Sequence, residues 1–312
     1  MSTKPRIALL VCDTPLPNVL ATSGDYTAIF TRLLANSSLA PPADGFELDG
    51  FDVVNKRIYP ALPDGVEAPS DCTIDSERPL AAYDILMLSG SKASAYNETA
   101  DPWITPLVKY MSTVLSKKEG LPKVVGICFG HQIIARALGC TVGVNPKGWE
   151  IGPTPIRLTQ VGREVFPDLV QAAGQGSTAV ASDARAGEGG GDAGGIPSAS
   201  RKEASEVVMS INQMHRDHVL ELPSGTELIA ENDISEVQGF VLREGGSKTL
   251  RLLTLQGHPE FTPSVVGLIA EARAENGVIS KELYEDVRRR LEDKTDGNAV
   301  ADVVWRMVRA EV

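Results

Sequence analysis

Residues 124–132 read Val124-Val125-Gly126-Ile127-Cys128-Phe129-Gly130-His131-Gln132. An apolar run stops at a glycine, a thiol follows two positions later, and a second glycine sits two beyond that. The stretch Lys123 to Ile127 predicts a strand buried on both faces, and Phe129 to Leu138 the helix that follows it. A side chain presented at such a sharp turn needs small neighbours. A Cβ two positions to either side would collide with the packed strand and helix. This is the physics of the nucleophile elbow, with sulfur in place of oxygen. The turn exposes Cys128 at the carboxyl end of a sheet, where α/β proteins bind ligands. The helix N-terminus that follows favours a thiolate, and the N–H of Phe129 would point into the site as an oxyanion donor. A buried cysteine beside a tight turn is the plainer reading of the same five residues, so the rest of the chain has to decide.

Upstream, Pro5 to Asp13 predicts a first strand, Tyr26 to Leu34 a helix, Phe46 to Ile58 one or two strands, and Pro60 to Pro79 a loop. Tyr83 to Leu88 is another continuous apolar run, ending in Ser89-Gly90-Ser91, and Trp103 to Leu115 is helical. This alternation points to a parallel sheet with helices on both faces. Downstream the pattern shortens into strands at Ile151–Leu158, Glu206–Ile211, Glu227–Ala230, Gln238–Leu242 and Leu250–Leu255. Helices at Pro263–Glu275, Ser280–Leu291 and Ala299–Val312 close the chain. Residues 173–205, rich in Gly, Ala and Ser, lack the large apolar side chains that would offset ordering entropy. They predict a disordered surface insertion within a single domain spanning 1–312, because the motifs on its two sides need each other.

The chain has 312 residues and a formal net charge of −11. That balance argues against a nucleic-acid backbone or an anionic membrane as partner, and no run reaches the roughly 20 apolar residues of a membrane helix. The first apolar stretch meets Asp13 at once, too soon for a secretory signal. Four cysteines, Cys12, Cys72, Cys128 and Cys140, show neither a C-x-x-C pair nor zinc-like spacing. A reduced, cytoplasmic setting is expected, in which a cysteine in a special environment is a nucleophile rather than half of a disulfide.

A thiol nucleophile needs a base, and the base needs an orienting group. Four histidines are available: His131, His215, His218 and His258. His131 follows the elbow too closely to reach back to the sulfur. His258 lies in Leu253-Thr-Leu-Gln-Gly-His-Pro-Glu260, where an apolar strand runs into a loop and a carboxylate follows the imidazole by two residues. Glu260 can fold back onto one ring nitrogen and leave the other facing the thiol. Gly90, at the end of another buried strand, lets its backbone N–H approach a substrate closely. His215 and His218 are not spaced as a helical metal pair and no third ligand is apparent, so no metal is expected. Trp103 reads as packing.

Together these residues resemble the class I glutamine amidotransferases, which carry a Cys-His-Glu triad. The resemblance rests on GICFGHQ (126–132), QGHPEF (256–261), LSGS (88–91) and QMHRDHVLELP (213–223), in the family's order. It implies a flavodoxin-like three-layer α/β sandwich with a mostly parallel central sheet and a small antiparallel subsheet. It implies Cys128 as nucleophile, His258 as base, Glu260 as its partner, and the N–H groups of Gly90 and Phe129 as the oxyanion hole. Gln132 falls where the family holds the α-amino and carboxylate end of its substrate. His215, Arg216 and Asp217 are expected beside it, in contact with substrate or a partner. Arg216 stands where many members have glycine, and the 88–91 loop reads SGS instead of SGG. Both departures resemble stand-alone members similar to plant γ-glutamyl peptidases.

The implied chemistry is cleavage of the γ-amide of glutamine or of a γ-glutamyl compound through a Cys128 thioester, with no cofactor. The ammonia could be supplied to a separate synthetase subunit. The alternatives are a γ-glutamyl peptidase acting on glutathione-like conjugates, a catalytically idle binding member of the same fold, and a cysteine α/β-hydrolase. The last is disfavoured by the adjacency of His258 and Glu260.

Overall fold

The structure, a computed structural model, describes residues 4–42, 45–117, 120–176, 207–245 and 247–312. In chain order the elements are β1 (Arg6–Val11), α1 (Pro17–Ser23), α2 (Tyr26–Ala35), β2 (Glu47–Asp52), β3 (Ile58–Ala61), β4 (Thr73–Pro79), β5 (Ile85–Leu88), α3 (Ile104–Ser116), β6 (Lys123–Ile127), α4 (Phe129–Ala137) and β7 (Val142–Val144). They continue with β8 (Glu150–Leu158), α5 (Gln160–Val165), α6 (Pro167–Gly176), β9 (Val208–His215), β10 (Asp217–Val219), β11 (Glu227–Glu231), β12 (Gly239–Arg243), β13 (Leu250–Leu255), α7 (Pro263–Glu275), α8 (Lys281–Arg290) and α9 (Gly297–Val308).

One nine-stranded sheet organises the molecule, in the order β2-β1-β5-β6-β13-β12-β11-β8-β9. The first five strands are mutually parallel. From β13 onward every pairing is antiparallel. Alternate residues of the parallel strands feed two separate cores. Ile7, Leu9, Ile85, Met87, Val125 and Ile127 pack with α2, α7 and α9. Ala8, Leu10, Leu86, Leu88 and Val124 pack with α3 and α4 on the other face. Burial on both faces is why these strands are continuous apolar runs in the sequence, and it produces the three-layer α/β sandwich. A separate antiparallel pair, β7 with β10, forms the small subsheet.

The antiparallel half curls back toward the parallel half. Asn212 of β9, at the far end of the strand order, bridges to His258, just past β13, with the His258 N–H donating to the Asn212 carbonyl at 2.7 Å. A Cβ on Gly257 would stand 2.7 Å from a methyl of Ile211, so only glycine allows this closure.

Several expected boundaries move. Residues 60–79 are not all loop: β3 and β4 pair there as a two-stranded parallel sheet, and Tyr110 donates to the Pro60 carbonyl at 2.9 Å. The strand expected at Glu206–Ile211 runs to His215, because β8 pairs with β9 from Glu150↔His215 to Arg157↔Val208. The short elements α1, α5, α6, β7 and β10 were not anticipated. Residues 173–176 of the expected insertion belong to α6, and residues 177–205 of it lie outside the described residues.

Candidate active site

Three adjacent parallel strands end at one edge. Leu88 of β5 lies opposite Gly126 of β6, and Ile127 opposite Leu255 of β13. The first loop residues past these ends carry Gly90, Cys128 and His258. Residues 38 to 168 positions apart in sequence therefore meet because their strands are neighbours, with β6 between the other two.

Cys128 caps α4 with φ +52° and ψ −104°, a left-handed conformation that costs a non-glycine residue roughly 1–3 kcal/mol. The surrounding structure enforces it. The Cys128 N–H donates to the Leu255 carbonyl at 2.8 Å, and the Cys128 carbonyl accepts from the Gln132 N–H at 3.1 Å. The flanking glycines are obligatory for space: a Cβ on Gly130 would lie 2.6 Å from the Leu88 carbonyl oxygen, and one on Gly126 would lie 2.9 Å from the Gly130 carbonyl. Phe129 begins α4, so its N–H has no acceptor within the helix. Its ring packs on Trp103 at 5.3 Å between centroids.

His258 is buried and fixed from three directions. Its Nδ1 lies 2.8 Å from Glu260 Oε1, its ring stacks on Phe261 at 3.9 Å and 6°, and its N–H is held by Asn212. The Asn212 side chain also donates to the Phe261 carbonyl at 2.8 Å, so one β9 residue ties down the whole 258–261 turn. Burial alone would depress the imidazole. The charges of Cys128 and Glu260 and hydrogen bonds to both outweigh it, and His258 is pushed up to about 10. Gly90 completes the cluster: a Cβ there would stand 2.7 Å from His258 Cε1 and 3.6 Å from Cys128 Cβ.

The other expected residues gather on one wall. Gln132 Nε2 donates to the Asp217 carbonyl at 2.9 Å and to Gln256 Oε1 at 3.1 Å. That same carbonyl accepts from His215 Nδ1 at 3.0 Å. Arg216 is exposed at the turn from β9 to β10, and the Asp217 carboxylate accepts from Tyr96 at 3.4 Å. His131 lies elsewhere, fully buried, with Nδ1 2.9 Å from Thr254 Oγ1. Burial drives it down to about 3, and the nearby His215 adds to the shift.

Sequence reasoning missed Glu150. Its buried carboxylate lies opposite His215 in the β8–β9 ladder and 3.2 Å from His215 Nε2. His215 Nε2 makes no hydrogen bond at that distance. Asn232 at 2.5 Å, Ser235 at 2.7 Å and Gln238 at 3.1 Å complete its shell. Burial would raise the Glu150 carboxyl, but His215 and these donors keep it below its ordinary value. An isolated Glu at the start of a strand gives no hint of partners 65 to 88 residues away. Sequence reasoning also missed Arg273 of α7, whose guanidinium covers the Trp149 ring at 4.7 Å.

Cys128, Gln132, His215, Arg216, Asp217, His258, Trp149 and Arg273 all line one cavity of about 610 Å³. Among the described residues, no group of three or more His, Cys, Asp or Glu side chains is arranged to hold a metal ion, and no helix is long and apolar enough to cross a membrane. All four cysteines are free thiols.

Residues 66–269 match the family model of glutamine amidotransferase class-I. The chain is 29% identical over 298 residues to a glutamine amidotransferase-like protein of Schizosaccharomyces pombe, covering 95% of each. It is 26% identical over 272 residues to gamma-glutamyl peptidase 4 of Arabidopsis thaliana, covering 87% of this chain and 82% of that protein. Its fold superposes on the crystal structure of a glutamine amidotransferase from Thermotoga maritima with a TM-score of 0.60 at 18% identity, over 98% of this chain and 99% of that one. By the span of that family match, this chain belongs to the class-I glutamine amidotransferase family.

Proposed function

We propose that this chain is a cysteine hydrolase that cleaves γ-glutamyl amide bonds through a thioester on Cys128. The observation that carries this is the meeting of Gly90, Cys128 and His258 at the ends of three adjacent strands, with Glu260 on the far nitrogen of the imidazole. The Cys128 thiolate attacks the γ-carbonyl carbon, forming a C–S bond and an oxyanion. The N–H groups of Phe129 and Gly90 receive that charge. The oxyanion collapses and the C–N bond breaks as the His258 imidazolium gives its proton to the departing amine or ammonia. Water then attacks the thioester, losing a proton to His258. The C–S bond breaks, and glutamate leaves. Glu260 holds one tautomer and stabilises the imidazolium throughout, the role of the acid in a triad. Gln132, His215, Arg216 and Asp217 form the wall that would receive the α-amino and α-carboxylate groups.

The same chemistry would serve a separate synthetase if ammonia were passed on; stimulation of glutamine cleavage by a partner protein would mark that case. A cytoplasmic setting accords with four free thiols. The test is glutamate release from glutamine and from γ-glutamyl peptides. Cys128→Ala should abolish it while leaving the thermal unfolding transition in place. Turnover that survives Cys128→Ala contradicts the assignment.

A further inference from the structure

Arg273 is a cation without an anion. Its guanidinium lies over the Trp149 indole in the wall of the catalytic cavity, and among the described residues no carboxylate lies within ion-pair distance of it. Asp13, which lines the same cavity, is already taken: its carboxylate accepts from the Lys92 ammonium at 2.9 Å and from the Lys92 N–H at 2.8 Å. Burial pulls the Arg273 guanidinium below its ordinary value, against the charges of Cys128, Tyr26 and Asp13. A partly desolvated guanidinium on an aromatic face keeps its rigid fork of donors free for a carboxylate.

The reaction centre does not use this group. His258 is answered by Glu260 and Cys128, and the cleft wall at Gln132 has its own cation in Arg216, which precedes Asp217 in sequence and has no ion-pair partner among the described residues. A γ-glutamyl group carries one α-carboxylate and one α-ammonium, which that wall can receive. Arg273 therefore calls for a second carboxylate. The remaining part of the substrate is the departing amine, which must lie beside its proton donor. His258 sits in the loop that leads into α7, and Arg273 rides on α7. Between them the cavity is lined by Phe261, Val265 and Ile269. Cavities of roughly 300–1,000 Å³ hold drug-sized ligands, so one of about 610 Å³ has room for more than a lone glutamine.

We infer that Arg273, stacked on Trp149, forms a subsite for a free carboxylate on the leaving amine, so that the preferred substrates are γ-glutamyl amino acids or peptides rather than glutamine. This rests on the γ-glutamyl hydrolase reading above and adds the leaving-group class to it.

The experiment compares γ-glutamylglycine with γ-glutamylglycinamide, which differ only in the leaving-group carboxylate, on the wild-type chain and on Arg273→Gln. A charge-assisted hydrogen bond of about 1.5–3 kcal/mol corresponds to roughly 10–150-fold. The wild type should favour the acid, and Arg273→Gln should lower the acid-to-amide ratio of kcat/KM by about that factor, with Arg273→Lys intermediate. Equal losses on both substrates would overturn the inference, since Arg273 would then hold the glutamyl end or the fold. Turnover without preference for the acid overturns the subsite and leaves the hydrolase reading standing. If neither substrate turns over, that reading fails. Calorimetry of both compounds on Cys128→Ala then decides the subsite separately: tighter, Arg273-dependent binding of the acid supports it, and equal or absent binding overturns it.

Discussion

Gly90 and His258 touch so closely that no other residue fits at position 90: a Cβ there would come within 2.7 Å of the imidazole Cε1. The ring cannot yield, because Glu260 holds Nδ1 at 2.8 Å and Phe261 stacks on its face at 3.9 Å. Gly90→Ala should therefore displace the imidazole from Cys128. Misplacement by about 1 Å can cost around 10²-fold, so kcat/KM for γ-glutamyl cleavage should fall at least that far while circular dichroism is unchanged. Activity within a few-fold of wild type would show that the ring does not work from this position.

The charge on His258 sets a second expectation. Burial depresses the imidazole, but Cys128 and Glu260 raise it further, to about 10. The proton donor to the leaving amine is thus present below that value and lost as pH rises through it, so the alkaline limb of kcat/KM should fall near pH 10. Glu260→Gln removes one of the two supporting charges. The limb should move toward the ordinary histidine value of about 6.5, and kcat should drop by about 10²–10⁴-fold by analogy with other triads. A pH–rate profile of the two proteins measures both; an unmoved alkaline limb would show that Glu260 does not tune the base.

Glu150→Gln should act on the opposite wall. It removes a buried carboxylate 3.2 Å from His215 Nε2 and turns an amide toward donors from Asn232 and Gln238. Leaving a buried donor without its acceptor costs about 1–3 kcal/mol, read as a lowered melting temperature. The His215 ring also bonds the Asp217 carbonyl that holds Gln132. The KM for a γ-glutamyl substrate should rise more than kcat falls. A variant as stable as wild type, with unchanged KM, would place Glu150 outside the support of this wall.

What the sequence made legible follows from how locally each feature is written. The parallel strands β1, β5, β6 and β13 are buried on both faces and stand out as apolar runs, and the elbow glycines around Cys128 are a five-residue signal. His258 and Glu260 are separated by a single proline. Their meeting with Cys128 depended on strand order, which the family resemblance supplied and no local pattern could. The β3–β4 pair was read as loop because Pro60 and Pro79 sit within it. The three-residue strands β7 and β10 are too short for periodicity to register, and α1 begins at the second of two prolines, Pro15 and Pro17, behind an uncapped Leu16. The Glu150 shell and the stacking of Arg273 on Trp149 join residues from distant strands and helices, so only the folded chain displays them.

Covalent capture of the nucleophile tests the central claim most directly. Burial pushes the thiols of Cys12, Cys72 and Cys140 above their ordinary range, which leaves them poor nucleophiles. A diazo-ketone analogue of glutamine should therefore add once per chain, with peptide mass mapping locating the adduct on Cys128 and His258→Asn slowing its formation. No adduct, or modification of the other cysteines at the same rate as Cys128, would contradict the account.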